Sequence, residues 1–596
     1  MIRNFLLLLV FTSSLFAQFR LKRVTFLQEG LVGTVAGRVI CCDSDHDGLQ
    51  EMIFRTGTIH PTDPLRWEVW EYRPVNRYEL VFADTGAYPY PPGITTGNFR
   101  PCDVGDIDQD GLTDLVGVNE ENPQNPDTFY NLIVTQESPD YFSYPESLSW
   151  WYRYDHNSPN MEPVYFTSDL DNDGRNEVLK LTHNPQIGTG IWENLGNNQN
   201  VLVWSRLRVG AWNFAFGDFD LDGRKEFVTA DLGGGGWVSV YENTGDDQYE
   251  MVYRDTVHLP NGGDVFSGND LDQDGRPEFF VGFYVVPTNT FYLYMWEATG
   301  NNTYERTFID QKTMATTGNY ALSKCGDLDG DGVEELVWAT PLAVYVYKAV
   351  GNNLFQEVWH WRGDHGHHES LIVNIHDMNN GGYNDLVVGG SRKTSVFEVE
   401  ALRVLYPNGG ENLVPGDTCW IRWETFNPPR CDSVSLFLRS DTSWQLDTIV
   451  TGLSPTDTVY PWIVPPGPHD SCRIVAIAYG PGWQYDESDS AFQIPGIGIR
   501  ETHPLQVYAT RLDVYPNPGR GRIIVRYELA SAGPVEITAY DPIGRKVAVL
   551  ASGSCIPGRY RVNWNCMNEP AGVYFLRMDC GKQSRMEKVI LTSGQK

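Results

Sequence analysis

Positive charge is what this sequence has least of. Its 596 residues carry 45 lysines and arginines against 77 aspartates and glutamates, a formal net charge of −32. So acidic a chain repels a phosphate backbone, which excludes nucleic acid as a partner. Signatures of familiar chemistry are missing as well. There is no GxSxG nucleophile elbow, no HExxH helix and no phosphate-cradling P-loop. No CxxC pair argues for zinc or thiol redox chemistry. Beyond residue 17 no apolar run is long enough for a membrane-spanning helix. Charged residues are modest at 20% while aromatics reach 13%, which suits folded β structure and argues against disorder. A chain of this length holds several domains.

Residues 1–17 read as a signal peptide. Arg3 gives the positive start, Phe5 to Phe11 the short apolar core, and Ser13, Ser14 and Ala17 the small residues before a cut after Ala17. The mature protein is then exported. Ten cysteines fit an oxidising compartment without dictating pairing. Cys41, Cys42, Cys102 and Cys325 read as small buried strand residues. Cys419, Cys431 and Cys472 fall in a second segment, and Cys555, Cys566 and Cys580 in a third. Cys419 could bridge Cys472, with Cys431 an equal competitor.

What is present is an acidic loop, repeated. Asp218, Asp220, Asp222 and Glu226 occupy loop positions 1, 3, 5 and 9, with Gly223 at position 6, and the strand Phe227-Val228-Thr229-Ala230 follows. Hard cations such as Ca²⁺ take six to eight oxygens, and a tightly wound acidic loop supplies them. Position 7, here Arg224, can add its backbone carbonyl. The same pattern appears at Asp43, Asp45, Asp47, Leu49 and Glu51, and at Asp106, Asp108, Asp110, Leu112 and Asp114. It returns at Asp169, Asp171, Asp173, Arg175 and Glu177, at Asp270, Asp272, Asp274, Arg276 and Glu278, and at Asp327, Asp329, Asp331, Val333 and Glu335. A seventh copy is damaged: Asp377, Asn379 and Asp385 remain, but Gly381 replaces the position-5 carboxylate, so metal there is weak. The spacings are 63, 63, 49, 52, 57 and 50 residues, in the range of propellers and other arrays. Six bound Ca²⁺ would bring the net charge from −32 to about −20.

EF-hands are ruled out. Their twelfth position is a bidentate Glu between helices, whereas here that position holds Phe54, Gly117, Lys180 and Thr229 in the first four copies, and β-rich runs such as Leu336-Val337-Trp338-Ala339 follow. Turn chemistry alone does not require a carboxylate at the ninth position of every copy. The repeats resemble the FG-GAP or VCBS repeats of integrin-alpha-type β-propellers, over roughly residues 19–400. The resemblance implies a seven-bladed propeller with calcium in the loop joining the first two strands of each blade.

A second submotif supports four strands per repeat. Tyr241-Glu242-Asn243-Thr244-Gly245-Asp246-Asp247-Gln248-Tyr249 is echoed from Trp192, Trp296 and Tyr347, with aromatic strand residues flanking a Gly/Asn/Asp hairpin turn. The seventh repeat lacks its own fourth strand, while Phe19 to Gln28 precedes the first repeat with nothing to pair with. The N-terminal strand is therefore expected to complete the last blade and hide its edge.

The expected class is all-β: a signal peptide at 1–17, a seven-bladed propeller at 18–400, and two small sandwich domains. Residues 401–496 carry short alternating strands such as Trp420-Ile421-Arg422-Trp423 and resemble the immunoglobulin-like modules of secreted bacterial proteins. Residues 497–510 form a polar linker. Residues 511–596 contain Tyr515-Pro516-Asn517-Pro518, a Tyr540-Asp541 turn leading to Gly544-Arg545, and Ala571-Gly572-Val573-Tyr574. Together these resemble the type A C-terminal sorting domain of the type IX secretion system. That implies an extracellular or outer-membrane-surface location and the secretion machinery as a partner.

The expectation is a calcium-stabilised, non-catalytic binding or adhesion protein for a glycan or protein. The alternative is a polysaccharide-active, lyase-like enzyme on the same ring, needing a Tyr, His or Lys base and a cation near the axis. Trp67, Tyr88, Tyr90, Trp212, His365, His367 and His368 fall on the irregular loops opposite the acidic ones. Flat aromatic faces there would suit stacking on sugars, and loops on a rigid scaffold are where binding tends to reside.

Overall fold

A computed structural model describes residues 19–27, 39–56, 66–73, 77–84, 99–119, 128–138, 141–143, 150–153, 164–181, 189–195, 200–206, 213–230, 235–286, 288–314, 321–363, 371–390, 394–426, 429–440, 446–496, 510–530, 533–555, 558–567, 569–581 and 583–592. Every regular element among them is a strand, as an all-β chain requires. The signal-peptide segment lies outside the described residues. The chain divides into two compact units, residues 1–496 and 497–596.

The first unit contains seven antiparallel sheets built from the repeats. Their first strands are Ile40–Cys42, Phe99–Gly105, Val164–Ser168, Ala215–Gly217, Gly262–Ser267, Lys324–Gly326 and Ile372–His376. In every sheet an acidic loop leads from the first strand to the second. One cavity of about 330 Å³ is lined by residues from all seven first strands, so the sheets are arranged around a common axis. Burial is greatest in the second strands and falls toward the outer ones. The second strands Glu226–Ala230, Glu335–Ala339 and Asp385–Gly389 are buried at every position, because each sheet is covered on both faces. The outer strand Thr303–Thr313 is mostly exposed and carries the charged residues.

The N-terminal strand Leu21–Leu27 pairs antiparallel with Thr394–Val399, with Leu21 opposite Val399 and Leu27 opposite Thr394. It forms the outer strand of the seventh sheet, as its missing fourth strand led us to expect. Phe19, just before it, is buried in the core of the sixth and seventh sheets beside Val346 and Phe397.

Residues 402–494 form two further antiparallel sheets sharing one core, with Ile421 and Trp423 from one and Leu436 and Ile474 from the other. This module packs on the seventh acidic loop. The amide of Trp483 donates to Gly381 O (2.6 Å), and the Tyr383 hydroxyl donates to Arg430 O (3.1 Å). A Cβ on Gly482 would lie 2.1 Å from Gly381 O, so only glycine allows the approach. Lys22 of the N-terminal strand forms an ion pair with Asp486 of the module.

The second unit pairs a sheet of Arg511–Tyr515, Arg522–Leu529 and Gly558–Asn565 with a four-stranded one of Gly533–Tyr540, Lys546–Cys555, Gly572–Cys580 and Gln583–Leu591. One correction concerns cysteine. Among the described residues no disulfide joins Cys472 to Cys419 or Cys431, so the bridge between sheets is not present. Cys419 and Cys472 are instead small apolar members of the module's core.

Candidate metal centres

The fourth loop shows how the acidic stretches are wound. Asp218 Oδ1 accepts the amide of Asp222 (3.1 Å) and its Oδ2 that of Gly223 (2.9 Å). Asp222 Oδ1 accepts the amide of Arg224 (3.0 Å), and Glu226 Oε2 that of Phe219 (2.6 Å). Two left-handed residues make the winding possible: Leu221 at φ 61° and Gly223 at φ 92°. An L side chain reaches the first of these at a cost of about 1–2 kcal/mol, and the second favours glycine. The other loops repeat this pattern, with His46, Gln109, Asn172 and Gln273 at the first left-handed position and glycine at the second.

The donor set fits a hard cation. In the first, third and fourth loops the four carboxylates bring oxygens within 4.8 Å of one another, as Asp106, Asp108 and Asp114 do in the second. Glu51, Glu177, Glu226 and Glu278 are buried, and in each one Oε1 accepts no hydrogen bond. A buried carboxylate oxygen without a donor is costly, and a clustered set of them calls for a cation. Asp45, Asp47, Asp171, Asp173, Asp220, Asp222, Asp272 and Asp274 would complete such sites, Ca²⁺ being the ion that suits an all-oxygen set.

Three features escaped the sequence reading. The first is a fifth carboxylate. Strand register places Glu71, Glu193, Glu242 and Glu297 directly opposite Glu51, Glu177, Glu226 and Glu278. Each follows a Trp or Tyr in the third strand, a recurring dipeptide that could have revealed it. The second is the use made of position 7. Arg224 and Arg276 bind Glu242 and Glu297 at 3.0 and 3.2 Å, and Arg175 binds Glu193, so these side chains hold the fifth carboxylate in place.

The third is a tie between neighbouring sheets. The tight turn of each following sheet donates a backbone amide to the position-3 carboxylate: Asp247 to Asp171 (2.8 Å), Asn302 to Asp220 (2.6 Å), and Asn353 to Asp272. All three donors are left-handed, at φ 57°, 55° and 56°. Asn301 and Asn352 add side-chain bonds to Asp222 and Asp274 (2.8 and 2.6 Å). Acidic loops and tight turns therefore share one face.

Burial pushes Glu51, Glu177 and Glu278 up to about 8 and Glu226 up to about 9, against the lowering effect of the position-2 amides. A carboxyl whose folded pKa lies above its unfolded one stabilises most at low pH and loses that contribution as pH rises through the folded value. The calcium-stripped protein is therefore expected to melt progressively lower from about pH 5 to pH 9. Calcium-loaded protein should lack this fall, since binding holds the groups ionised. Thermal melts across that range in chelator and in calcium check this.

The sixth and seventh loops differ. Asp327, Asp331 and Glu335 accept the same amides as their counterparts, so the sixth loop keeps the winding. Inside it, however, lies the Lys348 ammonium, 2.7 Å from Asp329 Oδ2, 2.9 Å from Asp331 Oδ2 and 2.8 Å from Glu335 Oε1. Lys348 stands where the first, third, fourth and fifth sheets place their extra glutamate. Burial pulls its pKa down, but Glu335 and Asp329 outweigh that and hold it protonated. In the seventh loop Asp377 still accepts the amides of Gly381 and Gly382 (2.8 and 2.7 Å). Asn379 donates to Glu398 (2.8 Å), while burial and Glu398 push Asp385 upward. The missing position-5 carboxylate leaves Gly381 against Trp483.

Among the residues expected to meet a ligand, Trp67 is corrected. It is fully buried, with its ring 4.8 Å from that of Phe82, because it sits inside a strand and not on a loop. Tyr88, Tyr90, Trp212, His365, His367 and His368 lie outside the described residues.

Comparison with known proteins gives two matches along the chain. Residues 270–338, spanning the fifth and sixth loops, match the FG-GAP-like repeat, and residues 513–592 match the secretion system C-terminal sorting domain. The chain carries both of these elements. The sorting domain marks it for export by type IX secretion to the cell surface or extracellular space, and that machinery is its partner. No curated protein matches the chain. Among solved structures, fibronectin(III)-like modules of Clostridium thermocellum CbhA align over 32% of this FG-GAP-repeat chain and 93% of their own, at 12% identity and a TM-score of 0.12. That score is too low to bear on fold or function.

Proposed function

We propose that this exported FG-GAP-repeat chain is a calcium-stabilised, seven-bladed propeller that binds an extracellular glycan without catalysis. The observation that carries this reading is the polar and aromatic axial cavity, beside a face whose loops and turns are tied to one another. The acidic loops and tight turns are committed to cations and to one another. The axial cavity is left for a ligand. That cavity is polar as well as aromatic, with Lys324, Asn374, Asn213 and Ser267 beside Tyr165 and Phe216.

Lys324 also gives the lyase reading its one support, since an axial ammonium could neutralise a uronate. A glycan array and a uronate-polymer degradation screen on calcium-loaded protein separate the two. Retention without breakdown is expected, abolished by Trp212→Ala together with His367→Ala while the melt is unchanged. Polymer cleavage would favour the lyase. Retention only of protein ligands, or by the 401–496 module alone, would overturn the proposed site.

A further inference from the structure

We infer that the sixth acidic loop takes no divalent cation, because the Lys348 ammonium is already the cation at its centre. This deepens the calcium reading of the intact loops and rests on it. Three carboxylates contributed by positions 3, 5 and 9 converge on Lys348 Nζ at 2.7 to 2.9 Å as ion pairs, and the one to Asp331 is also a hydrogen bond. Asp329, Glu335 and Lys348 are all buried. Calcium needs those same oxygens at about 2.3–2.6 Å, so ion and ammonium compete for one volume.

The rest of the loop agrees. In the third, fourth and fifth sheets position 7 is an arginine that binds the third strand's glutamate, and in the first, where position 7 is Leu49, Arg73 pairs with Glu71 instead. Where the third strand supplies Lys348, position 7 is Val333 and no such arginine is required. To admit calcium, Lys348 would have to leave a buried site and still carry its charge close to the ion. Its stem is packed inside the sheet, which opposes that exit.

Calcium bound per full-length chain, counted by equilibrium dialysis, tests this. Asp329→Asn is expected to leave the count unchanged, whereas Asp220→Asn in the fourth loop lowers it by one. Asp331→Asn, at a half-exposed side chain, repeats the first arm without touching a buried group. Lys348→Glu, which installs the residue found at this place in the neighbouring sheets, is expected to raise the count by one. The inference is overturned if Asp329→Asn or Asp331→Asn removes an ion, or if folded Lys348→Glu gains none. Should Asp220→Asn also leave the count unchanged, the calcium reading of the intact loops fails instead.

Discussion

Stripping calcium should lower the melting temperature of the 1–496 unit and leave the 497–596 unit where it was. Acidic loops with unsatisfied buried glutamates occur in the first unit, whereas the second is held by a compact core of residues such as Ile523, Trp564 and Leu576. Extracellular modules bind calcium with dissociation constants of about 10⁻⁴–10⁻³ M. At about 1 mM calcium, mass action gives roughly 0.4–1.4 kcal/mol per site. Five such sites contribute about 2–7 kcal/mol, a large share of a domain's whole stability. For a ring of this size that is a fall of roughly 3–9 °C. Calorimetry of the whole chain, with and without chelator, resolves the two units. An unchanged first transition in chelator, or an equal fall in both, would contradict the assignment.

Removing residues 19–27 should be more damaging still. Phe19 alone fills a buried place in the core, and losing a buried phenylalanine costs about 3–5 kcal/mol. The deletion also strips the hydrogen-bonding partner from Thr394–Val399 and removes the Lys22–Asp486 ion pair. An unpaired strand edge is a template for intermolecular pairing, so the truncated protein should aggregate as well as melt early. A deletion of similar length within residues 498–509 is the control and should do neither. Size-exclusion chromatography with light scattering distinguishes them. A truncated chain that stays monomeric with an unchanged melt would show that closure does not depend on this strand.

Both expectations start from features that were legible in the sequence. The acidic loops announce themselves because each packs its carboxylates and its left-handed glycine into nine consecutive residues. The closing strand was legible through arithmetic: one repeat lacked a strand and one strand lacked a repeat. What escaped were relations that exist only across strands. Glu242 meets Glu226 through register, and nothing in the loop's own residues points to it. Lys348 lies 13 residues beyond Glu335, outside any motif window, yet its ammonium reaches the loop's centre. Trp67 looked like a loop aromatic but is enclosed by its sheet, since an aromatic side chain reads alike in a core and on a surface until its strand is placed.

The ties between tight turns and acidic loops give the ring a sense of direction. The third loop is held by the fourth sheet, the fourth by the fifth, and the fifth by the sixth. An ion lost from one loop thus slackens the sheet after it more than the sheet before it, and the disturbance has a downstream side. That succession arrives at the sixth sheet, where the charge at the loop's centre belongs to Lys348. A covalently attached cation cannot diffuse away or be chelated. The sixth loop, beside the chain's own closure, therefore keeps its counter-charge in chelator.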